Sequence, residues 1–413
     1  MAPIKKVLVV GAGPTGLLLA LLLAKKGITV EVVEAEVEVD QRPRGLAYGP
    51  SATRILRRAG VLEEIRNMTS DITSTSWRKL GGEILAHIEG DGQSPDKPLL
   101  YPVHLLSNLL LERVLQQETA SVHMSHAVID VGQSDDAAWV RVKSGDEIKR
   151  IEGDFVIGCD GAKSIVRKSL FGDDFPGFTW DKQLVVTNVH YKMANFNWSD
   201  VQWVVDPQYW AMVCCISRAE DTELWRVVYG EPIGLSPEQL RARLPEKFEK
   251  ILPGHPKPDD YEIVRFSPFT VHQRCVEKMR VGRVLLVGDA AHLCNPMGGL
   301  GLTGGISDVG SLAECLYGIH EGKANMDILD KYDEARRQVF RDIVDPVSSA
   351  NLRRIWNEPE SIRWTDPFFN KARRAATEPE ILEELKLMNI NCDMTQHYNE
   401  KASLDGNSAD AAL

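Results

Sequence analysis

The chain has 413 residues, 43% of them hydrophobic and 26% charged, with a formal net charge of −11. That length exceeds one ordinary core and leaves room for two or three structural units, while the near-average composition excludes a disordered or membrane-embedded chain. An acidic chain without a long Lys/Arg tract cannot neutralise a phosphate backbone, so no nucleic acid is expected as a partner and small molecules take its place.

The longest apolar run, Leu17 to Ala24, is far shorter than the roughly 20 residues of a membrane span, so it reads as a buried helix and no membrane span is expected. The opening Met1-Ala2-Pro3-Ile4-Lys5-Lys6 lacks the basic, apolar, small-residue order of a signal peptide, so a cytoplasmic location is expected. Seven cysteines sit in apolar stretches such as Val213-Cys214-Cys215-Ile216. They read as reduced core residues, with neither a disulfide framework nor a metal site.

In chain order, Val7 to Val10 is a strand ending in glycines, a helix-period stretch runs to Lys26, Gly27 stops it, and Thr29 to Val33 is a second strand. Helices are expected over 51–67 and 105–117, followed by extended patterns at 138–143 and 154–157 that return to the first sheet. From 184 to 263 the texture changes to short strands, at 184–189, 201–205 and 224–229, interrupted by a Pro-rich segment at 244–258. This reads as an inserted antiparallel sheet. Residues 283–287 form another buried strand entering a glycine loop, and helix periodicity resumes from Leu302 to Tyr317. Beyond Asp345-Pro346 the chain reads as helical and polar, with a loose tail at 402–413.

Three constellations carry chemistry. Gly11-Ala12-Gly13-Pro14-Thr15-Gly16 stands where a strand meets a helix, so the glycines allow a tight turn, close approach of a pyrophosphate and close helix packing. Glu34 follows at the end of the second strand, where a carboxylate can accept hydrogen bonds from a ribose. Asp160-Gly161 ends a buried strand ahead of a helix that Ser164 can cap and that carries Arg167. Gly288-Asp289-Ala290-Ala291-His292 leads into Pro296-Met297-Gly298-Gly299-Leu300-Gly301. There Asp289 can accept from a flexible polyol, and loop amides can face an oxygen that becomes negative on reduction. Each segment alone is also an ordinary turn; their combination and placement point to a dinucleotide that carries a flavin.

In this order the segments resemble the class A flavoprotein monooxygenases, the family with the para-hydroxybenzoate hydroxylase fold, over roughly residues 5–337. The resemblance implies an α/β fold: a Rossmann-like FAD-binding domain with an inserted antiparallel β-sheet substrate domain and a helical C-terminal segment. The expected boundaries are 1–180 and 271–345 for the FAD-binding domain, 181–270 for the substrate domain and 346–413 for the C-terminal segment. It further implies non-covalent FAD, NAD(P)H as a transient reductant and O2 as co-substrate. Oxygen would pass from a C4a-hydroperoxide of the flavin to a phenolic or other electron-rich aromatic small molecule.

Carried over by residue, Gly11, Gly13, Pro14, Thr15 and Gly16 would surround the pyrophosphate, Glu34 the adenosine ribose and Arg44 the flavin. Asp160 would touch the FAD and NAD(P)H regions, and Gly288 with Asp289 would hold the ribityl chain. Pro296, Gly298, Gly299, Leu300, Gly301 and Leu302 would line the flavin edge. Asn108 stands where relatives have Arg or Gln, and Gly299-Leu300-Gly301 with Thr303 replaces a Gly-Gln-Gly and Asn pattern. Side-chain contacts are lost there while backbone contacts are retained.

For substrate, the inserted sheet offers His190, Trp203, Tyr209, Trp210, Trp225, Arg226 and Tyr229, with Pro296 and Gly298 on the flavin side. Strand alternation allows only one parity of 225–229 to face a pocket. No catalytic residue is assigned; the candidates are Arg44, Tyr209, Arg226, Tyr229 and His190, while His292 reads as a hydrogen-bonded structural residue. A same-fold enzyme of epoxidation, Baeyer-Villiger or decarboxylative hydroxylation stays open, as does a non-catalytic flavin-binding protein. A monomer or homodimer is expected.

Overall fold

The computed structural model describes residues 3–42, 45–69, 72–90, 94–218, 222–375, 377–386 and 389–399. Arg44 and the expected tail at 402–413 lie outside the described residues.

The first apolar run forms β1 (Lys6–Val10), buried over its last four residues. Valine favours such a strand because its branched Cβ suits a pleated, packed surface. β1 pairs in parallel with β2 (Thr29–Val33) on one side and β11 (Phe155–Gly158) on the other. β7 (Ala120–His123) extends the sheet beyond β2, and β18 (Val284–Leu286) with the antiparallel edge β17 (Arg280–Val281) extends it beyond β11.

Two helices pack together over this sheet: α1 (Pro14–Ala24), buried throughout from Gly16 to Ala24, and α7 (Leu300–His320). From Gly16 on, α1 has no polar face because that part is shielded from water, as expected of a helix in a doubly covered parallel sheet. The helix expected over 51–67 is two, α2 (Pro50–Ala59) and α3 (Leu62–Asn67), divided by Gly60 at a φ of 78°. α4 (Val103–Leu115) follows a small antiparallel pair, β3 (Ala47–Tyr48) with β6 (Leu99–Leu100). β8 (Ala127–Gln133), β9 (Ala138–Ser144) and β10 (Glu147–Gly153) form a separate three-stranded sheet. α5 (Ile165–Phe171) follows β11.

The other large sheet has the order β19 (His292–Leu293), β16 (Glu262–Cys275), β12 (Gly177–His190), β15 (Glu223–Pro232), β14 (Ala211–Arg218), β13 (Val201–Val205), β4 (Ser74–Lys79), β5 (Ile84–Glu89). Its strands are longer than expected: β12 and β16 each span 14 residues. It also reaches outside 181–270, because β13 pairs in parallel with β4, which pairs in turn with β5. The first half of the Pro-rich segment expected at 244–258 belongs to a 15-residue helix, α6 (Pro237–Ile251), that runs through Pro245. Its start has a local cause: the Ser236 side chain accepts from the Gln239 amide while the Gln239 side chain accepts from the Ser236 amide.

α6 covers the outer face, where Trp225, Val227 and Tyr229 meet Leu240, Leu244 and Phe248. The inner face packs Leu184, Trp203 and Val228 against Leu46, Leu100, Met297 and Leu352. The C-terminal part is helical as expected, with α8 (Ile328–Val339), a π-helical turn at Phe340–Val344, α9 (Asp345–Ile355), α10 (Pro359–Thr365), α11 (Pro367–Ala375) and α12 (Pro379–Lys386). Among the described residues no helix is long and apolar enough to cross a membrane.

Candidate flavin and substrate site

The glycine turn after β1 is shaped by two close approaches. Gly11 has a φ of 104°, and a Cβ there would stand 2.6 Å from the Cys159 carbonyl oxygen; a Cβ on Gly16 would stand 2.0 Å from the Gly11 carbonyl oxygen. A larger residue at either place pushes backbone from backbone. At Gly13, the residue preceding α1, nothing lies within 4 Å of the equivalent point. The first amides of α1 therefore open onto free space at the positive end of its dipole, which is what a pyrophosphate requires. Glu34 stands at the lip of this space, its two carboxylate oxygens accepting from the amides of Ala12 at 2.7 Å and Glu36 at 3.0 Å.

Three segments distant in sequence meet beside the turn. Thr15 Cγ2 lies 3.2 Å from where a Gly288 Cβ would stand and 3.0 Å from a Gly305 Cβ, so the loop after β18 and α7 approach each other at their glycines with the Thr15 side chain of the β1–α1 turn packed against both. Asp289 is exposed on the short turn Gly288–Ala290. Arg167 of α5 fastens that turn from below, donating to the carbonyls of Ala290 at 3.0 Å and Ala162 at 2.8 Å.

Beneath it lies a buried charged cluster. Asp308 on α7 accepts from the Gly288 amide at 2.9 Å, stands 2.8 Å from His292 Nε2 and accepts from Arg336 Nε at 2.6 Å. Burial pushes the Asp308 carboxyl up, but His292 and Arg336 more than offset this and hold it below the usual carboxylate range. His292 is thus tied into the support of the loop.

The approach to α7 is fixed by a second buried set. Gln273 Oε1 accepts from the Asn295 amide at 3.1 Å and from Asn295 Nδ2 at 3.2 Å, Asn295 Oδ1 accepts from the Met297 amide at 3.0 Å, and Gln273 Nε2 donates to Ser348 Oγ at 2.9 Å. Pro296 to Gly299 is thereby anchored to β16 and α9. Gly299, at a φ of 65°, turns the chain into α7 and lies against Ala47, while the Gly49 amide donates to Thr303 Oγ1 at 3.1 Å. Tyr48 is held between these two contacts.

Tyr48 packs into the core beneath α2 and α4, while its neighbours Leu46 and Ala47 pack against the inner side of the eight-stranded sheet. Its side chain is buried and its hydroxyl has no hydrogen-bond partner among the described residues. Across from it Arg226 is only 4% exposed, donates from Nε to Asn188 Oδ1 at 3.1 Å and is close enough for its charge to bear on Tyr48. Trp203 lies on the same face, stacked 6.2 Å from Trp77, with its indole nitrogen buried and unpartnered.

The placement corrects several substrate and catalytic expectations. Trp225 and Tyr229 have the wrong parity: both are fully buried against α6, with Tyr229 6.3 Å from the Phe248 ring. Tyr209 is also on that side, its hydroxyl donating to Glu246 of α6 at 2.6 Å. His190, at the end of β12, has Nδ1 3.2 Å from the Glu223 carbonyl oxygen and lines a cleft with Tyr191, Phe196, Asp260 and Tyr261, whose walls include no flavin-loop residue. Trp210 is on the inner side but packs on Trp356, ring centres 5.8 Å apart. Asp160 turns its carboxylate inward, accepting from Ser164 Oγ at 2.5 Å and from the Ile165 amide at 2.7 Å, so the side chain caps α5. Asn108 exchanges hydrogen bonds with Gln41 at 3.2 and 3.3 Å.

Sequence reasoning missed Tyr48 and Asn188. Nothing local marks them; each acquires meaning from the element packed across from it.

An FAD fits these residues. Gly13 leaves room for a ligand, Glu34 is tied to the turn at Ala12, and Thr15 of the same turn lies against Gly288 and Gly305, which flank the exposed Asp289 and the start of α7. Residues 5–347 match the family model of the FAD binding domain. The chain is 40% identical over 358 residues to para-nitrophenol 4-monooxygenase of Pseudomonas sp. strain WBC-3, covering 85% of this chain and 87% of that protein. It is 38% identical over 370 residues to 6-hydroxy-3-succinoylpyridine 3-monooxygenase HspB of Pseudomonas putida strain DSM 28022 / S16, covering 86% and 90%. The solved p-nitrophenol 4-monooxygenase PnpA of Pseudomonas putida DLL-E4 superposes with a TM-score of 0.86 at 35% identity, over 95% of this chain and 99% of that one. With a family match across most of its length and a relative of the same fold over nearly its whole chain, this chain belongs to the FAD binding domain family of class A flavoprotein monooxygenases.

Proposed function

We propose that this FAD-dependent monooxygenase hydroxylates a phenol or hydroxypyridine bearing a second polar substituent, bound between Tyr48 and the inner face of the eight-stranded sheet. The observation that carries the reading is the burial of Arg226 beside Asn188, with its charge bearing on the Tyr48 hydroxyl, which has no partner among the described residues. A buried arginine favours an anion, and an unpartnered buried hydroxyl needs a polar ligand atom. The named substrates of the two relatives, para-nitrophenol and 6-hydroxy-3-succinoylpyridine, both join a ring hydroxyl to a polar group.

Gly13 and the first amides of α1 would hold the FAD pyrophosphate, Glu34 the adenosine ribose, Asp289 the ribityl hydroxyls, and Pro296 to Leu302 the flavin edge. When bound, the flavin takes electrons from NAD(P)H and activates O2 for transfer to the ring. The protein's own part is to place the ring, keep water out and favour the anionic form of the hydroxyl. Arg226 serves the last of these, and Trp203, Met212 and Val228 supply an apolar wall on the same face.

The cysteines are all free, as suits a reducing cytoplasm, and the chain is read as a monomer or homodimer. Light scattering on the purified protein gives its mass. The functional test is a screen of phenols, nitrophenols and hydroxypyridines for stimulated NAD(P)H oxidation coupled to a hydroxylated product. Bound flavin that never turns over with any of them defeats the reading and leaves a carrier.

A further inference from the structure

The cleft that holds His190 lies where three strands of the eight-stranded sheet terminate side by side, since His190 of β12 pairs with Leu224 of β15 and with Glu262 of β16. Its volume is about 600 Å³, in the range of small-molecule sites. Part of its wall is aromatic. The Tyr191 and Phe196 rings stack with centres 6.2 Å apart, and the Tyr191 hydroxyl donates to the Pro253 carbonyl at 2.6 Å. Gly254, at a φ of 79°, brings backbone against both rings: a Cβ there would strike the Phe196 ring and stand 2.9 Å from Tyr191 Oη. Phe196 is nevertheless 39% exposed. Tyr261 packs its ring 5.0 Å from Phe248 and buries its hydroxyl, so what it shows the cleft is ring and backbone.

The rest of the wall is acidic. Glu223, only 9% exposed, is fixed through Oε2, which accepts from the Met193 amide and from Trp225 Nε1, both at 2.8 Å. Asp260 accepts from the Lys257 amide at 2.7 Å. Asp259 and Glu262 have no hydrogen-bond or ion-pair partner among the described residues. Against these four carboxylates the wall sets one lysine, Lys192, and His190, whose Nδ1 lies on the Glu223 carbonyl. Such a surface repels anions. Among the described residues no three His, Cys, Asp or Glu stand close enough to hold a metal ion, and a bare inorganic cation would make no use of the rings. A cation with apolar bulk uses both parts, because ring faces and carboxylates attract its charge together.

We propose that this cleft is a second ligand site, separate from the flavin, that binds a small organic ammonium ion, its charge shared between the aromatic wall and the carboxylates of Asp259 and Glu262. No residue of the flavin loops lines it, so the site stands independently of the substrate reading above.

The test is isothermal titration of the FAD-loaded protein with benzyltrimethylammonium chloride, with benzyl alcohol and benzoate as neutral and anionic comparators. The cation should bind at one site, at least about tenfold more tightly than benzyl alcohol, and benzoate should not compete with it. Phe196→Ala should weaken the cation by about three- to thirtyfold, the range of one cation–ring contact. Asp259→Asn combined with Glu262→Gln should weaken it by about tenfold. FAD content and melting temperature at wild-type values show that both variants are folded. Absence of binding, binding no tighter than that of benzyl alcohol, or binding equally tight in both variants overturns the assignment.

Discussion

Asp308 shows how much one side chain can decide. It is fully buried, and it joins the Gly288 amide of the flavin loop to His292 and Arg336. Arg336 in turn donates to the Ile390 carbonyl, so the loop and the C-terminal segment share one anchor. Asp308→Asn leaves a buried guanidinium without its counter-charge and should lower stability by about 3–5 kcal/mol. Urea denaturation measures this, and a loss below about 1 kcal/mol would mean that the cluster is not coupled to folding. Because the folded-state carboxyl titrates below its ordinary value, its contribution is complete above the unfolded value of about 3.9 and is lost as pH falls further, through the folded value. The acid limb of the stability profile should therefore flatten in Asp308→Asn. Asp289, exposed one residue beyond Gly288, is the residue proposed for the ribityl chain. Asp289→Ala should weaken FAD by about 1.5–3 kcal/mol, or roughly ten- to a hundredfold in Kd, read by flavin fluorescence, and unchanged affinity would remove the ribityl assignment.

At the scale of the element, β15 was readable as an alternating strand from Trp225 to Tyr229, but its parity was not. Alternation says that two faces differ, and only the landing of α6 on one of them says which is outer. The signal for α6 was present in Ser236 and Gln239, and the proline content obscured it. The observed parity predicts a clean separation. Trp225→Phe removes the indole donor to Glu223, a 2.8 Å bond, and should cost about 1 kcal/mol in thermal unfolding while leaving the KM for a phenol unchanged. Arg226→Gln should raise that KM by about tenfold or more and leave FAD content intact. A KM change confined to the Trp225 variant would mean that the sheet presents its other face.

For the molecule as a whole, the segments proposed to hold FAD come together only when the chain is folded, so flavin binding and folding should be linked. With free FAD at 100 times its Kd, holoprotein should gain about 2.7 kcal/mol over apoprotein, seen as a melting temperature that rises with FAD concentration. A melting temperature indifferent to FAD would show that the loops are formed but not used.

The sequence by itself determined the parallel β1–α1–β2 core and the family, because these depend on glycine geometry and apolar runs that act over a few neighbouring residues. It could not place β4 and β5 in the substrate sheet, assign Trp225 and Tyr229 to the outer core, or pick out Tyr48 and Asn188. Those depend on which elements pack together, whether strands far apart in the chain, such as Val201 with Thr75, or α6 folding back on β15. No local pattern encodes which surfaces meet; packing of whole elements decides it.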